Sequence, residues 1–384
     1  MQAAGPAEKN LIRIIPEKIK LFCGKADLKL QQNDHDRQRP FTDAPAEFMK
    51  EKRMQKTNQK EHTMQIHFWG TRGSLPAPAT ADGIGSKIFR AIRASQDRRL
   101  ETDEAIQTFI RRELPFCVRE SYGGNTSCVQ ILNEGEYVLC DAGTGLRDFG
   151  NAYMKALTSG KGNLPKIFHI FMSHLHWDHI QGFPFFTPAY LPGNQVHIYG
   201  YHQDIRESFE NQQKEPFFPV PLSAMQADIS FHFLEEAKSY DIAGFQVTAT
   251  KQRHPGDSYG YSFIKNGKKV VYSTDSEHQD DAKDEQYRFI DFFRNADLLI
   301  FDAQYNFLES VDAKANWGHS SNLLGVELGL RAGVRRLCLF HHEHTFDDET
   351  LDQFLSDTYA YQTILDKTSS MEISLSYDGL IIEI

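Results

Sequence analysis

The chain reads as an α/β layered sandwich, and two observations predict it. From residue 166 onward, apolar strand-length runs recur: "KIFHIFMSH", "QVHIYG", "FQVTATKQ", "YGYSFIKNGKKVVYSTD", "DLLIFDAQY" and "RRLCLFHH". Helical stretches alternate with them near 202–214, 281–295, 321–333 and 348–366, and period-2 and period-3.6 patterns mixed in this way fit neither a barrel nor a bundle. No fixed-period repeat is visible, which sets solenoids aside.

Taken in order, residues 25–63 are rich in Lys, Gln, Asp and Glu with almost no aromatic content. Residues 1–63 are therefore expected to be a poorly ordered N-terminal extension, in which "LIRIIPEKIKLFCG" reads as a short strand or docked segment. The domain is expected to span 64–384, opening with the strand "MQIHFWG" and continuing through "CVQILNEGEYVLCDAGTG", where turn residues separate apolar runs. Over 82–114, Ile88, Phe89 and Ile92, then Ile106, Phe109 and Ile110, fall at helical spacing. This predicts a helical insertion that caps or lids the domain. The aromatic and proline residues of 212–233 suit either a pocket wall or packing between layers.

With 42 basic against 52 acidic residues, the net charge is −10. That is a poor footprint for gripping a polyanion, so a small-molecule substrate is expected and long nucleic acid is not. No apolar run reaches membrane-spanning length, so no membrane partner is expected. The five cysteines, Cys23, Cys117, Cys128, Cys140 and Cys338, show no Cys-x-x-Cys spacing, which suits free thiols in a reducing, cytoplasmic setting. A homodimer stays open.

Residues 173–186, "SHLHWDHIQGFPFF", crowd His174, His176, Asp178 and His179 together. In an extended segment the first three point the same way, and His179 follows where the chain turns. Imidazoles with carboxylates suit zinc, iron or manganese, and the lack of a ligating cysteine argues against a purely structural zinc site. Asp141, His254, Asp275 and His341 each close an apolar run further along. Each alone is as well explained as a cap or a satisfied polar group; their recurrence is what carries weight.

"SHLHWDH", "CDAGTG", the single His254, "STD" and "LFH" together resemble the metallo-β-lactamase superfamily. The resemblance runs from about residue 64 to the C-terminus. It implies a four-layer αβ/βα sandwich with two divalent metal ions at one edge, zinc first, with manganese or iron also fitting. One metal would be held by His174, His176 and His254, the other by Asp178, His179 and His341, with Asp275 bridging. Asp141 would orient ligands, and His342 and His344 are near alternatives to His341. Two metals about 3.5–4 Å apart can share a hydroxide and clamp the attacking and leaving oxygens, so the resemblance implies hydrolysis, with Asp178 in the catalytic set.

"NWGHSSNLLGVELGLRAGVRRLCLFHH" resembles the phosphodiesterase branch that includes RNase Z and the phosphonate-pathway cyclic phosphodiesterase. On that resemblance His319 meets the phosphate and protonates the leaving oxygen while Asp302 orients it. The family usually has Glu where Asp302 stands and Thr where Ser321 stands. The plainer reading makes His319 a cap for the helix beginning near Ser320. "FWGTRGSLPAP" and "YGGNTSC" resemble hydrolases similar to cyclic-nucleotide phosphodiesterases. Arg72, Asn125 and Thr126 then join His319 as substrate-binding residues, with backbone N–H groups of the Gly123–Gly124 turn facing the metals; a surface salt bridge and a ligand-free turn are the alternatives.

The expected function is a dinuclear metal-dependent phosphodiesterase acting on a small or cyclic phosphodiester through a metal-bridging hydroxide. A carboxylic ester, thioester or lactone hydrolase is the alternative. A tRNA 3′-processing endonuclease is disfavoured, because only "SFIKNGKK" separates Gly260–Tyr261 from Val270, where that enzyme's arm would be inserted.

Overall fold

The computed structural model describes residues 63–159, 164–306, 314 and 316–384. The expected extension up to residue 62, with "LIRIIPEKIKLFCG" and Cys23, lies outside the described residues. In chain order the elements begin with β1 (Gln65–Gly70), α1 (Ala81–Ser95), α2 (Asp103–Arg112), α3 (Phe116–Arg119), β2 (Cys128–Ile131), β3 (Tyr137–Cys140) and α4 (Gly145–Thr158). Next come β4 (Ile167–Phe171), α5 (Trp177–Ile180), β5 (Gln195–Gly200), α6 (Ile205–Gln212), β6 (Asp228–Phe233), β7 (Tyr240–Ile242), β8 (Phe245–Lys251), β9 (Tyr259–Lys265) and β10 (Lys268–Ser273). The chain closes with α7 (Arg288–Phe293), β11 (Leu298–Asp302), α8 (Asn322–Ala332), β12 (Arg336–Phe340), α9 (Asp348–Leu365), β13 (Glu372–Leu375) and β14 (Ile381–Glu383).

Two seven-stranded sheets form, ordered β14-β1-β2-β3-β4-β5-β6 and β13-β12-β11-β10-β9-β8-β7. In each, antiparallel pairs at one side give way to parallel pairs β3-β4-β5-β6 and β10-β11-β12-β13. Of the parallel strands, β11 ("LLIFD") is buried throughout, because strands pair on both its edges and layers cover both its faces. The sheets face each other across a core that includes Phe68, Phe171, Tyr261, Phe263, Tyr272 and Phe340. A second core, with Leu146 and Phe149 of α4 and Phe209 of α6 against Phe168 and Ile170 of β4, covers the outer face of the first sheet. This is the αβ/βα sandwich.

Helix α4 and strand β14 were not legible in the local pattern. Gly145 starts α4 where a Cβ would sit 2.6 Å from the Trp69 carbonyl carbon, so glycine there signals close packing rather than helix weakness. Strand β14 pairs with β1 through contacts such as Gln65 with Glu383, at the far end of the described chain. Segment 212–233 ends in the edge strand β6, and Phe217 is 78% exposed. The helix expected over 281–295 is confined to α7. Lys265 and Lys268 flank a two-residue turn, Asn266–Gly267, with φ of 53° and 76°, the left-handed pair that a tight hairpin needs.

The insertion is two helices, α1 capped by Thr80 and α2 by Thr102. Phe109 of α2 packs with Leu114, Cys117 and Val118, but α1 buries none of its residues. Four of the buried residues are free cysteines, Cys117, Cys128, Cys140 and Cys338. No helix among the described residues is long and apolar enough to cross a membrane.

Candidate metal centre

The parallel strands end on one edge, where the chain must turn and its backbone and side chains are free to face a ligand. Beyond β4 the chain runs through Ser173, His174 and His176 into α5, which carries Asp178 and His179. His254 lies between β8 and β9, Asp275 follows β10, Asp302 ends β11 and His341 follows β12. Asp141, Asp275 and His341 are non-glycine residues with φ of 62°, 52° and 62°. Such left-handed backbone costs about 1–3 kcal/mol at each position and persists where the surroundings enforce it.

These side chains converge. His174, His176 and His254 form one set and Asp178, His179 and His341 another. His254 Nε2 lies 3.1 Å from His176 Nδ1, and His179 Nε2 lies 3.2 Å from His341 Nε2. Asp275 reaches both sets, with Oδ2 3.5 Å from His174 Nε2 and Oδ1 3.3 Å from the Nε2 atoms of His179 and His341. Asp178 Oδ2 is 3.2 Å from His341 Nε2 and 3.3 Å from His179 Nε2.

The donor set fits divalent metals. Two nitrogens bound to one tetrahedral zinc at its usual bond length sit about 3.3 Å apart, close to the spacing of both imidazole pairs. His174 Nε2 is buried with no hydrogen-bond partner, an orphan that a metal would satisfy. Without metal the electrostatics are divided. Burial and the neighbouring imidazole of His179 hold His174 well below its ordinary range. For His179, burial is outweighed by the carboxylates of Asp178, Asp275 and Asp141, which push it well up. Burial likewise opposes charge on Asp178 and Asp275, yet the surrounding histidines hold both well below the usual carboxylate range.

A second layer fixes the ligands' ring orientations. Asp141 accepts from His179 Nδ1 (2.8 Å), the Ser173 N–H (2.7 Å) and hydroxyl (2.8 Å), and the Tyr272 hydroxyl (2.7 Å). His254 Nδ1 donates to the Gly318 carbonyl at 2.9 Å, and His341 Nδ1 to Gln304 Oε1 at 3.1 Å. The Ser74 N–H donates to Asp178 Oδ2 at 2.8 Å. Ser173 and Ser74 sit inside the quoted stretches "SHLHWDH" and "FWGTRGSLPAP", but nothing in the sequence marked them, Tyr272 or Gln304 as partners of the ligands.

Beside the cluster, His319 Nδ1 lies 3.0 Å from Asp302 Oδ2. Asp302 is fully buried and also accepts from the Ser276 N–H at 2.9 Å, which fixes its plane. Burial disfavours a charged His319, but the Asp302 carboxylate, aided by Asp275 and Asp178, pushes it up to about 9. The cap of α8 is Ser321, whose hydroxyl accepts from the Leu324 N–H, so His319 is free of that duty.

The three further residues expected at the substrate, Arg72, Asn125 and Thr126, have hydrogen-bond partners within the chain. Arg72 is 3% exposed; its Nε donates to the Gly123 carbonyl (2.9 Å) and its Nη1 to the carbonyls of Glu343 (3.1 Å) and Phe346 (2.8 Å). Asn125 Nδ2 donates to Asp148 at 2.7 Å and its Oδ1 accepts from Arg147 at 3.1 Å. Thr126 Oγ1 accepts from the Thr144 N–H at 2.9 Å and from Gln181 Nε2 at 3.1 Å. These bonds tie all three into the surrounding loops. The Gly124 and Asn125 N–H groups donate to Asp378 Oδ2 at 3.0 and 2.9 Å, so this turn serves a carboxylate of the chain itself. His342 is buried with Nε2 on the Ser376 carbonyl, 2.9 Å away, and His344 pairs with Glu343 at 2.8 Å; of the three histidines, His341 is the one in the cluster.

Chemically, ligands of this kind beside a carboxylate-backed imidazole belong to metal-dependent hydrolases. The sequence pattern of the beta-lactamase superfamily domain matches residues 136–342, more than half of the 384-residue chain, and the chain belongs to that superfamily. It is 24% identical over 283 residues to Ribonuclease Z of Picrophilus torridus, covering 58% of this chain and 85% of that one. Its fold is similar to the metallo-beta-lactamase fold protein YhfI from Bacillus subtilis, with a TM-score of 0.53, 19% identity, and 84% and 99% of the two chains covered. It is also similar in fold to a diphosphatase from the PhnP family, with a TM-score of 0.50, 19% identity, and 84% and 97% covered.

Proposed function

We propose that this chain is a dinuclear phosphodiesterase that cleaves a small or cyclic phosphodiester. The observation that carries this reading is the His319–Asp302 pair, 3.0 Å apart and adjoining the metal ligands. Hydrolysis of a phosphodiester expels an alkoxide, a poor leaving group that needs a proton as the P–O bond breaks. With Nδ1 engaged by Asp302, His319 Nε2 is the nitrogen left to carry that proton to the leaving oxygen. An ester or lactone hydrolase has less need of such a pair.

His174, His176 and His254 would hold one divalent ion and Asp178, His179 and His341 the other, with Asp275 shared between them. Zinc suits these N/O donors, as manganese and iron do. Ions bound there supply Lewis acidity and bring the pKa of a water toward neutrality. Asp141, Gln304 and the Gly318 carbonyl keep the imidazoles aimed, and Asp302 holds Nδ1 of His319 and so fixes its ring. A small substrate is supported by the net charge of −10 and by the two-residue Asn266–Gly267 turn, which extends no arm between β9 and β10. Buried free thiols suit a reducing cytoplasm.

Elemental analysis of the purified protein should find about two metals per chain, and the protein should hydrolyse bis-(p-nitrophenyl) phosphate. His319→Ala and Asp178→Ala should each lower that rate about 10²-fold or more. Undiminished turnover in either variant overturns the mechanism. Preferential cleavage of precursor tRNA, or of lactones and thioesters, in a parallel panel overturns the substrate class.

A further inference from the structure

The rim of the centre carries two indoles that the packing of the fold does not use. Trp177, between His176 and Asp178, is 82% exposed, and Trp317, just before Gly318, is 56% exposed. Among the described residues the Trp177 side chain has no ring or hydrogen-bond partner. The Trp317 ring meets the Lys314 ammonium, 4.4 Å from its centroid. The contrast is Trp69, whose ring packs 5.6 Å from Phe149 and whose Nε1 donates to Gln130. Large aromatic surface left in water beside a reaction centre is surface available to a ligand.

Both indoles hang from the same pair of ligands. Trp177 follows His176, whose Nδ1 is 3.1 Å from His254 Nε2, and Trp317 precedes the glycine whose carbonyl accepts from His254 Nδ1. The Trp317 loop is held in place: the Glu277 carboxylate accepts from the N–H groups of Asn316 (3.0 Å) and Gly318 (3.2 Å). Gly318 has φ of 88°, and a Cβ there would lie 2.2 Å from His254 Nδ1, so the loop rests directly on the metal-binding imidazole. Next to it opens a cleft of about 380 Å³, with His254, Arg253, Gln279 and Asn316 in its wall. Gln279 Nε2 donates to Asn316 Oδ1 at 3.2 Å, which leaves the Asn316 amide donors and the Gln279 carbonyl oxygen for a ligand.

We propose that this rim is a base-recognition subsite. Trp317 stacks on a planar heteroaromatic ring of the substrate, and the amides of Asn316 and Gln279 meet its polar edge. The substrate is then a nucleoside-bearing phosphodiester. This rests on the phosphodiesterase reading, and it adds the group that sets specificity. Stacking tolerates any base, while a donor and an acceptor on the cleft wall favour a ring with hydrogen-bonding edges.

The test is calorimetric titration of the metal-loaded full-length protein with adenosine 5′-monophosphate and with glycerol 1-phosphate, which share a phosphate and differ in the ring. Wild type should bind the nucleotide about tenfold or more tightly than the glycerol ester. Trp317→Ala should abolish that preference and Trp317→Phe should retain most of it. Equal binding of the two ligands by wild type, or an intact preference in Trp317→Ala, overturns the subsite. A protein that prefers the nucleotide yet hydrolyses no phosphodiester keeps the subsite and refutes the phosphodiesterase reading. Phosphodiester hydrolysis without the preference does the reverse.

Discussion

Asp378 shows how much of this fold rests on single polar residues away from the metals. Its carboxylate accepts from the N–H groups of Gly124 and Asn125 and from the Thr71 hydroxyl, 3.2 Å away. A Cβ on Gly123, where φ is 87°, would lie 2.2 Å from the Asp378 carboxyl carbon. Burial pushes the carboxyl up to about 6 even against these donors. Asp378→Ala would strand three partly buried donors at about 1 kcal/mol each, so urea unfolding should show a loss of about 3 kcal/mol. Asp378→Asn keeps the shape and an acceptor oxygen and should lose less than half as much; equal losses would show that hydrogen bonding is not what this side chain contributes. The neighbouring Arg72 teaches the same lesson. A guanidinium in a glycine-rich motif invites a phosphate-binding reading, and only the structure shows its Nε and Nη1 on three backbone carbonyls.

At the scale of elements, the motif-bearing strands were legible because each ends in a chemistry-bearing residue, and the ligands were legible with them. His174, His176, Asp178 and His179 sit on one strand-to-helix turn, and their identity as a cluster needed no tertiary information. The insertion was legible as helices but not in its placement. Ile84, Ile88, Phe89 and Ile92 of α1 are 49%, 55%, 62% and 61% exposed, although their spacing is that of a packed face. Because α1 buries none of these side chains, Ile88→Ser with Phe89→Ser should leave the melting temperature within about 3 °C of wild type. Phe109→Ala, which empties the small cluster beneath α2, should cost about 3 kcal/mol. A large drop in the melting temperature of the double variant would mean that this face is covered in solution.

For the whole molecule, acid sensitivity follows from buried neutral histidines. His278 lies in the second sheet's helical layer, its Nδ1 2.6 Å from the Tyr287 hydroxyl and its ring stacked on Phe301. Burial, with Arg253 and Arg288 nearby, lowers it to about 3. The unfolded chain protonates this imidazole near 6.5 and the folded chain does not, so its contribution is complete above that pH and is lost as pH falls toward 3. Between pH 7 and 5, wild type should lose about 2 kcal/mol more than His278→Gln, by urea unfolding; parallel slopes would contradict a neutral buried imidazole. By itself the sequence determined the α/β class and a strand-end set of metal-ligand candidates. Both are local properties, because strand periodicity and the residue that ends a strand are written in consecutive positions. Only the tertiary structure decided that β14 closes on β1, that His341 rather than His342 meets the cluster, that Arg72, Asn125 and Thr126 hydrogen-bond within the chain, and that Trp177 and Trp317 stay in water. Those depend on which long-range neighbours consume each donor, acceptor and apolar face, and no stretch of sequence records them.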